Sequence, residues 1–139
     1  MTQEQKDLLL KDLCGRLPYW VKISVDDNIE TLQGINILDN VVEYGSWLSS
    51  DIEEVKPYLF PLSSMTEEQK YDFYCRFIEN DCDFEDFKEF YLDNGMWHEL
   101  LTSVDDVEAI IDWFNKNHFD YRGLIPMGLA NDATGLNIY

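Results

Sequence analysis

The chain has 139 residues, of which 45% are hydrophobic and 14% aromatic, and its 28 acidic and 10 basic residues give a formal net charge of −18. This is the length of one domain, and the apolar content is too high for a disordered chain. The negative charge repels nucleic-acid backbones and anionic lipid and favours basic partners. We therefore expect one domain, spanning 1–139, that binds neither nucleic acid nor membranes directly.

The amino terminus and the cysteines bear on where the chain works. The amino-terminal apolar run covers only residues 8–10, which fits neither a signal peptide nor a membrane span, and no later run approaches about 20 residues. Cys14, Cys75 and Cys82 are odd in number and form no C-x-x-C pair. That usage is typical of reduced thiols, so we expect a cytoplasmic protein.

The sequence opens with the pattern of an amphipathic helix. Thr2 and Gln5 have the spacing of a capping box at its start, and Gly15 is its expected end. The apolar residues of this helix recur on one side: Leu8, Leu9, Leu13 and Cys14.

A β-meander is predicted after this helix. Alternating apolar residues predict antiparallel strands at 20–25, 29–38 and 41–47. Gly34 is expected to mark a bulge or a sharp bend, and Asp39 and Asn40 have the spacing of a two-residue hairpin turn.

Two prolines characterise the segment 52–64. Pro57 and Pro61 each lack a backbone N–H and bias the preceding residue towards extended backbone. We expect a rigid extended bridge there, which is neither a helix nor a central strand. If the bridge covers an edge of the meander, the β half would form a small open barrel of SH3-like type.

The second half predicts helices, the first beginning at Thr66, which has the capping-box spacing with Gln69. Apolar stripes define the helices. The stripe of the first helix comprises Tyr71, Tyr74, Cys75 and Ile78, with Phe73 and Phe77 beside it, so this helix is expected to be buried on more than half its circumference. The other stripes are Phe84, Phe87 and Tyr91 in a second helix over 83–93, Trp97, Leu100 and Leu101 in a short turn, and Val104, Val107, Ile110, Ile111 and Phe114 in a last helix. The last helix is expected to run from Thr102 or Ser103, with Asp105 and Asp106 in its first turn, to about 117–118. Glycines and prolines mark 126–139 as an irregular tail with a loose terminus.

The expected fold class is therefore α+β. A small antiparallel β-meander within 1–64, preceded by the amino-terminal helix, packs against a bundle of three to four helices within 65–125. The helical side of this core is expected to consist of Tyr71, Phe77, Phe87, Ile110, Ile111 and Phe114.

Three pieces of the sequence carry a resemblance to a family. They are DLCGRLPYWVK near the amino terminus, EEVKPYLFPLSSMTEEQ in the middle and DWFNKNHFDYRGLI near the carboxyl terminus. In these pieces the chain resembles a group of small acidic proteins from gut anaerobic bacteria and their phages and mobile elements, with SSMTEE and HFDYRGL as the most specific parts. The resemblance implies a bacterial or phage cytoplasmic setting and carries over no activity.

A run of acids between positions 79 and 93 is the main candidate for function. Its members are Glu79, Asp81, Asp83, Glu85, Asp86, Glu89 and Asp93. On a continuous helix these seven acids would be spaced roughly 3.5 Å apart along the axis, close to the phosphate repeat of about 3.4 Å in a nucleic-acid strand. A plain solvated face is the competing interpretation.

A calcium loop beginning at Asp81, with Asp83 and Glu85 at alternate positions, is disfavoured. Asp86 stands where the sharp turn needs glycine, and Leu92 stands where a bidentate glutamate is needed. No metal site is predicted.

The alternative function is a small-ligand or enzymatic pocket. His118, Tyr121 and Arg122, with Asp120, form a polar cluster after a helix end, where a general acid or a phosphate-binding arginine could act. A pocket between the β and α halves would be bordered by Trp20, Trp47, Tyr58 and Tyr121. The structural interpretation is favoured, because a histidine in a last helical turn complements the helix dipole and Arg122 can pair with a carboxylate.

No catalytic residue and no cofactor are assigned from the sequence. The prediction is a non-catalytic acidic protein that binds a basic protein partner, as a nucleic-acid mimic or as an inhibitor of a host or defence protein.

Overall fold

The computed structural model describes residues 1–93, 99, 101 and 106–139. It is an α+β structure with a six-stranded sheet, which confirms the predicted fold class. The chain divides into two compact units: unit 1 is Met1–Pro61 with Phe114–Tyr139, and unit 2 is Leu62–Trp113. No helix within the described ranges is long and apolar enough to cross a membrane.

Unit 1 contains the sheet. Its strands are β1 (Lys22–Val25), β2 (Asn28–Asn36), β3 (Val41–Tyr44), β4 (Leu48–Asp51), β5 (Val55–Leu59) and β6 (Asn131–Asp132). Their order is β4-β3-β2-β1-β5-β6, and neighbours are antiparallel except for β5 and β6, which are parallel. Because β4 and β6 lie at opposite ends of this order, the sheet is open and the SH3-like barrel is not closed.

Four α-helices lie in the described ranges. They are α1 (Gln3–Arg16), α2 (Glu67–Phe77), α3 (Phe84–Phe87) and α4 (Val107–Lys116). A π-helical turn at Lys88–Asp93 follows α3 directly, and 3₁₀ turns occupy Leu17–Tyr19, Ile52–Glu54 and Leu62–Ser64. Several sequence-predicted positions lie outside the described residues: Trp97, Leu100, Thr102, Ser103, Val104 and Asp105.

The predicted starts of α1 and α2 are confirmed. Thr2 Oγ1 accepts from the backbone N–H of Gln5 at 3.1 Å while Gln5 Oε1 accepts from that of Thr2 at 2.9 Å. Thr66 and Gln69 repeat both bonds, at 3.2 Å and 2.9 Å. At α4, Asp106 precedes the helix as its cap rather than lying in its first turn, and its carboxylate accepts from a backbone N–H at 3.0 Å.

The core of unit 1 joins α1 to the sheet. Leu9 and Leu13 of α1 are fully buried in the same apolar cluster as Val21, Ile23 and Val25, the inward-facing residues in and beside β1. The predicted alternation of this strand is confirmed, since buried residues are separated by half-buried ones. One face of the strand therefore supplies the core.

Two glycines of unit 1 have different roles. Gly34 lies where the pairing of β2 with β3 shifts register after Leu32, in agreement with the predicted bulge or bend. Gly15 does not end α1, which continues to Arg16. A Cβ atom on Gly15 would lie 3.1 Å from Asn115 Nδ2, so a close approach, rather than a helix stop, explains this glycine.

The predicted third strand, 41–47, is wrong in its second half. The chain turns at 45–47, and Tyr44 pairs with Leu48 at the start of a fourth strand that the sequence analysis missed. The predicted two-residue hairpin between β2 and β3 is also wrong, because the loop covers the four residues 37–40. Asn36 organises this longer loop by accepting from the backbone N–H groups of Leu38 and Asp39, at 3.1 and 3.3 Å.

The predicted bridge around Pro57 is likewise corrected. Residues 55–59 form β5, which lies inside the sheet between β1 and β6. Pro57 stands opposite Ile23 of β1, and β6 pairs only with Tyr58 and Leu59, so the proline lies beyond the short second ladder. An interior strand tolerates proline here because one of its neighbours is only two residues long.

Unit 2 packs around Phe73, which lies beside the predicted stripe of α2, and of the stripe itself only Ile78 is buried. Phe73 is fully buried, whereas Tyr71 is 55% exposed and Cys75 is also exposed. The Phe73 ring stacks on Phe87 at a centroid distance of 5.7 Å and meets Trp113 edge-on at 5.1 Å. A phenylalanine face buries no polar atom, so it is preferred over a face that contains a tyrosine and a thiol.

The stripe of α4 is confirmed in part. Ile110, Trp113 and Phe114 are buried, but Ile111 is only half-buried and Val107 is exposed. The core role predicted for Ile110 and Phe114 therefore holds, and that of Val107 does not.

The carboxyl-terminal segment 126–139 is ordered against unit 1 instead of ending loosely. Its Leu129, Ala130 and Ala133 are buried, and β6 pairs in parallel with β5. The hydroxyl of Tyr139 donates to Tyr58 O at 2.7 Å. β6, which was not predicted from the sequence, is only two residues long and is therefore too short to give an alternating pattern.

Candidate functional site

The seven predicted partner-binding acids form one acidic segment, 79–93, and all seven are exposed: Glu79, Asp81, Asp83, Glu85, Asp86, Glu89 and Asp93. The segment is not one helix. Residues 79–82 form turns after α2, Asp83 caps α3 by accepting from the Asp86 N–H at 2.8 Å, and the last two acids lie in the π-helical turn. The even spacing expected of a continuous helix therefore does not extend over 79–93.

One base lies within the acidic segment. Lys88 Nζ contacts Glu85 at 3.2 Å and Glu67 of α2 at 3.4 Å, and it lies 4.5 Å from the centre of the Phe84 ring. Seven acids and one base leave a formal charge of −6 on the segment. Such a density of exposed carboxylates gives unit 2 a strongly negative surface.

A cavity of about 340 Å³ lies on the same segment, lined by Cys82, Asp86, Glu89, Phe90 and Tyr91. The Phe90 side chain is 47% exposed. Burial, followed by the charges of Asp86 and its acidic neighbours, raises the pKa of the Cys82 thiol. The thiol is therefore protonated at neutral pH and is a poor nucleophile. The cavity combines carboxylates with aromatic rings.

The acidic segment offers no obvious metal centre. Among the described residues, no group of three or more histidine, cysteine, aspartate or glutamate side chains is placed to hold a metal ion.

The alternative site, His118 with Tyr121 and Arg122, is brought together in unit 1 around a buried ion pair. Arg16 and Asp12 of α1 are both fully buried, and Arg16 Nε contacts Asp12 Oδ2 at 2.7 Å. Arg122 Nε contacts the other Asp12 oxygen at 3.2 Å, and the Tyr121 ring lies 5.3 Å from the Arg16 guanidinium carbon and 4.9 Å from that of Arg122. Asp12 thus compensates two arginines.

The sequence analysis missed Asp12 and Arg16, although their spacing contained a signal. Leu9, Asp12, Leu13 and Arg16 follow the i, i+3, i+4, i+7 pattern of a core-facing stripe. Two charged residues of opposite sign on such a stripe are expected to be buried as a pair.

Four buried side-chain atoms near this ion pair make no hydrogen bond within the described part of the chain: Arg16 Nη1, Asn115 Oδ1, His118 Nδ1 and Tyr121 Oη. Burial, and then the nearby charge of Arg16, lowers the pKa of His118 to about 4. His118 is therefore neutral at pH 7, and its ring stacks on Tyr139 at a centroid distance of 3.8 Å.

Asp120 has a different role from its neighbours in the sequence. Its two carboxylate oxygens accept from the backbone N–H groups of Leu124 and Ile125, at 2.8 and 2.9 Å. These bonds hold the turn that follows α4, so Asp120 acts in architecture.

The tryptophans that were predicted to border an interior pocket lie at the surface. Trp20 is 71% exposed and Trp47 is 101% exposed, while Tyr58 and Tyr121 are half-buried. Both tryptophans have left-handed backbone, with φ of 60° and 71°. The exposure corrects the prediction, because neither ring is enclosed.

A second cavity, of about 570 Å³, lies beside Trp47 at one end of the sheet; we call it the Trp47 cleft. Its lining comes from β2, β3, β4 and the turn between the last two: Gln33, Glu43, Tyr44, Gly45, Ser46, Trp47, Leu48 and Ser49. Glu43 is the acidic residue of this lining, and the lining residues within the described part of the chain include no lysine or arginine.

Comparison with known proteins adds no relative. No protein-family model, no curated protein and no solved structure matches the chain.

Proposed function

We propose that this chain is a non-catalytic binding protein whose acidic segment engages a basic protein partner. The observation that carries the proposal is the exposure of all seven carboxylates of the segment, two of which share a cavity with the rings of Phe90 and Tyr91. Carboxylates attract lysine and arginine across solvent, and aromatic rings provide the apolar contact that holds a cationic side chain after it arrives.

Attraction of this kind has a characteristic range. The Debye length is about 10 Å at 0.1 M salt and about 3 Å at 1 M, so encounter with a basic partner should slow steeply as salt rises. Apolar contacts within the cavity respond much less to salt. A partner that uses both is expected to be captured at low salt and released at high salt.

Mimicry of a nucleic acid is the finer form of this proposal. The partner would then be a nucleic-acid-binding protein, for example a host or defence protein that this chain inhibits. The broken helix means that the carboxylates would match phosphates by their local density rather than by a regular repeat along 79–93.

The test compares two variants that have the same net charge. The first neutralises part of the acidic segment by Glu85→Gln, Asp86→Asn, Glu89→Gln and Asp93→Asn. The control neutralises exposed acids elsewhere by Glu4→Gln, Asp7→Asn, Glu54→Gln and Asp112→Asn. Each protein is immobilised and exposed to a bacterial lysate at low salt, and captured proteins are eluted with a salt gradient and identified.

We expect the wild type and the control variant to retain a basic protein that the acidic-segment variant loses. If the chain mimics a nucleic acid, it should compete with DNA or RNA for the isolated partner. Equal retention by both variants would overturn the proposal, because net charge alone would then explain the capture. Both variants should melt close to the wild type, since surface substitutions of this kind usually change the free energy of unfolding by less than about 0.5 kcal/mol each.

A small-ligand or enzymatic site at His118, Tyr121 and Arg122 is a second candidate, favoured by the buried polar atoms that have no partner there. It ranks below the first because Arg122 and Arg16 already pair with Asp12. An internal water could satisfy the same atoms at little cost.

A further inference from the structure

We propose that the Trp47 cleft is a peptide-binding site that receives an arginine side chain from an extended segment of a partner protein. This site lies in unit 1, whereas the acidic segment lies in unit 2, so the inference does not depend on the function proposed above.

The first observation is the backbone of Trp47. Tyr44 pairs with Leu48, so the turn between β3 and β4 has three residues, 45–47. In three-residue hairpin loops the left-handed position is typically occupied by glycine, and a bulky side chain there is an outlier. Trp47 has φ of 71° and a fully exposed ring, so the packing of the chain does not explain why tryptophan occupies this position. A strained residue of this kind points to function.

The second observation is the chemistry of the cleft. Its lining includes both Trp47 and Glu43, and none of the lining residues that the structure describes is a base. Tryptophan is the strongest cation–π partner among the side chains, and a planar guanidinium can stack on a ring while it donates two hydrogen bonds to a carboxylate. Arginine is therefore the side chain that fits both groups.

The third observation is the position of the cleft on the sheet. Leu48 and Ser49 of the lining belong to β4, which lies at the end of the strand order. An edge strand can pair with an extended segment of another chain through its backbone groups. The volume of about 570 Å³ also exceeds the needs of a single side chain, so the residues that flank the arginine can enter.

Gly34 lies against Glu43 of the Trp47 cleft. A Cβ atom on Gly34 would lie 2.5 Å from Glu43 Oε2, which shows that the carboxylate extends over the bulge. Only glycine leaves this space open to the side chain of Glu43, which belongs to the lining of the cleft.

The test uses the full chain and three synthetic peptides of sequence Thr-Val-Xaa-Val-Thr, blocked at both ends and labelled with fluorescein. The central residue is arginine, lysine or the neutral isostere citrulline, and binding is measured by fluorescence anisotropy. The arginine peptide should bind, and the citrulline peptide should bind at least tenfold more weakly because it lacks the charge. The lysine peptide should lie between them.

Matched tryptophan variants distinguish binding at the cleft from non-specific binding to an exposed tryptophan. Trp47→Gly should weaken binding of the arginine peptide by about tenfold or more while the melting temperature stays the same or rises, because glycine relieves the left-handed backbone. Trp20→Gly is the control: Trp20 is also exposed and left-handed, but it is not part of the described lining of the cleft. It should leave peptide binding unchanged.

Two further variants test the carboxylate. Glu43→Gln should reduce the preference for arginine over citrulline, since only the contact with Trp47 then favours the charge, and Gly34→Ala should weaken binding by displacing Glu43. The variant with four neutral residues in the acidic segment should bind the arginine peptide like the wild type, which distinguishes failure here from failure of the proposed function. Failure of the wild type to bind the arginine peptide, equal binding of the arginine and citrulline peptides, or unchanged affinity of Trp47→Gly would each overturn the inference.

Discussion

Replacement of Asp12 by alanine should be among the most destabilising single changes in unit 1. Asp12 and Arg16 are both fully buried, and Arg16 donates to Asp12 at 2.7 and 3.1 Å and to Phe119 O at 2.7 Å. Asp12→Ala removes the first two bonds and the contact of Arg122 at 3.2 Å. Among the described contacts, it leaves the Arg16 charge in the core with the Phe119 carbonyl and the Tyr121 ring and with no carboxylate.

The magnitude follows from the cost of an uncompensated buried charge. Removing one partner of a buried ion pair costs about 3–5 kcal/mol, against a total stability of about 5–15 kcal/mol for a typical domain. At roughly 3–4 °C per kcal/mol for a chain of this size, the melting temperature should fall by about 10–20 °C. Arg122 is partly exposed and can turn towards solvent, so it adds little to this cost.

The measurement is urea unfolding followed by circular dichroism, with the shift in midpoint read at constant slope. Asp7→Ala is the control on the same helix, because Asp7 is exposed, and it should change the free energy of unfolding by less than about 0.5 kcal/mol. The double variant Asp12→Leu with Arg16→Met removes both charges and should recover most of the loss. A cost below about 1 kcal/mol for Asp12→Ala, or no recovery in the double variant, would refute the reasoning.

Three further changes have definite expected outcomes. Thr66→Ala should cost about 1 kcal/mol in urea unfolding through loss of the capping bond to Gln69, whereas an unchanged midpoint would show that the cap does not stabilise the helix. Ile110→Ala should cost about 2–5 kcal/mol and Ile111→Ala clearly less, because Ile110 is 1% exposed and Ile111 half-buried; equal losses would contradict the assigned core face. The pKa of His118 is lowered to about 4 from its usual 6.5, so the stability that neutral His118 contributes is present above pH 6.5 and lost as the pH falls towards 4. His118→Asn, which suits the left-handed backbone, should flatten this part of the melting profile, and parallel profiles for the two proteins would contradict the effect.

The sequence predicted correctly those features that depend on residues close together in the chain. Thr2 and Thr66 each bond to a residue three positions away, so the spacing alone contains the interaction. The alternation of Val21, Ile23 and Val25 records the burial of one strand face, and the bulge at Gly34 follows from a glycine inside a strand pattern.

Interactions between distant residues were the ones that sequence patterns missed. Pro57 argues against an interior strand only if both neighbouring strands extend along it and need a backbone N–H there. One of these neighbours, β6, is short and lies more than 70 residues away in the sequence, so the local pattern around Pro57 could not reveal it. Tyr71 was placed inside because aromatic residues were counted as apolar. Its ring lies 55% exposed, while Phe73, which has no polar group to satisfy, fills the core of unit 2.

The two candidate sites also differ in how far they could be predicted from the sequence. The acidic segment is visible in composition, since seven acids stand within fifteen positions, and exposure follows from charge. The Trp47 cleft was not predictable, because β4 and the three-residue turn that presents Trp47 arise only when the expected third strand folds back on itself. A fully exposed tryptophan gives no periodic signal of its own.

Surface residues that reduce stability are the most informative targets in this chain. The buried charges of Asp12 and Arg16 compensate each other, so their presence is explained by folding alone. The left-handed Trp47 and the crowded carboxylates of 79–93 have no such compensation among the described contacts, apart from the pairing of Glu85 with Lys88 and the cap that Asp83 supplies to α3. Selection for stability alone would readily replace them. Because their replacement should leave the fold as stable or more stable, a loss of binding in either variant cannot be attributed to unfolding.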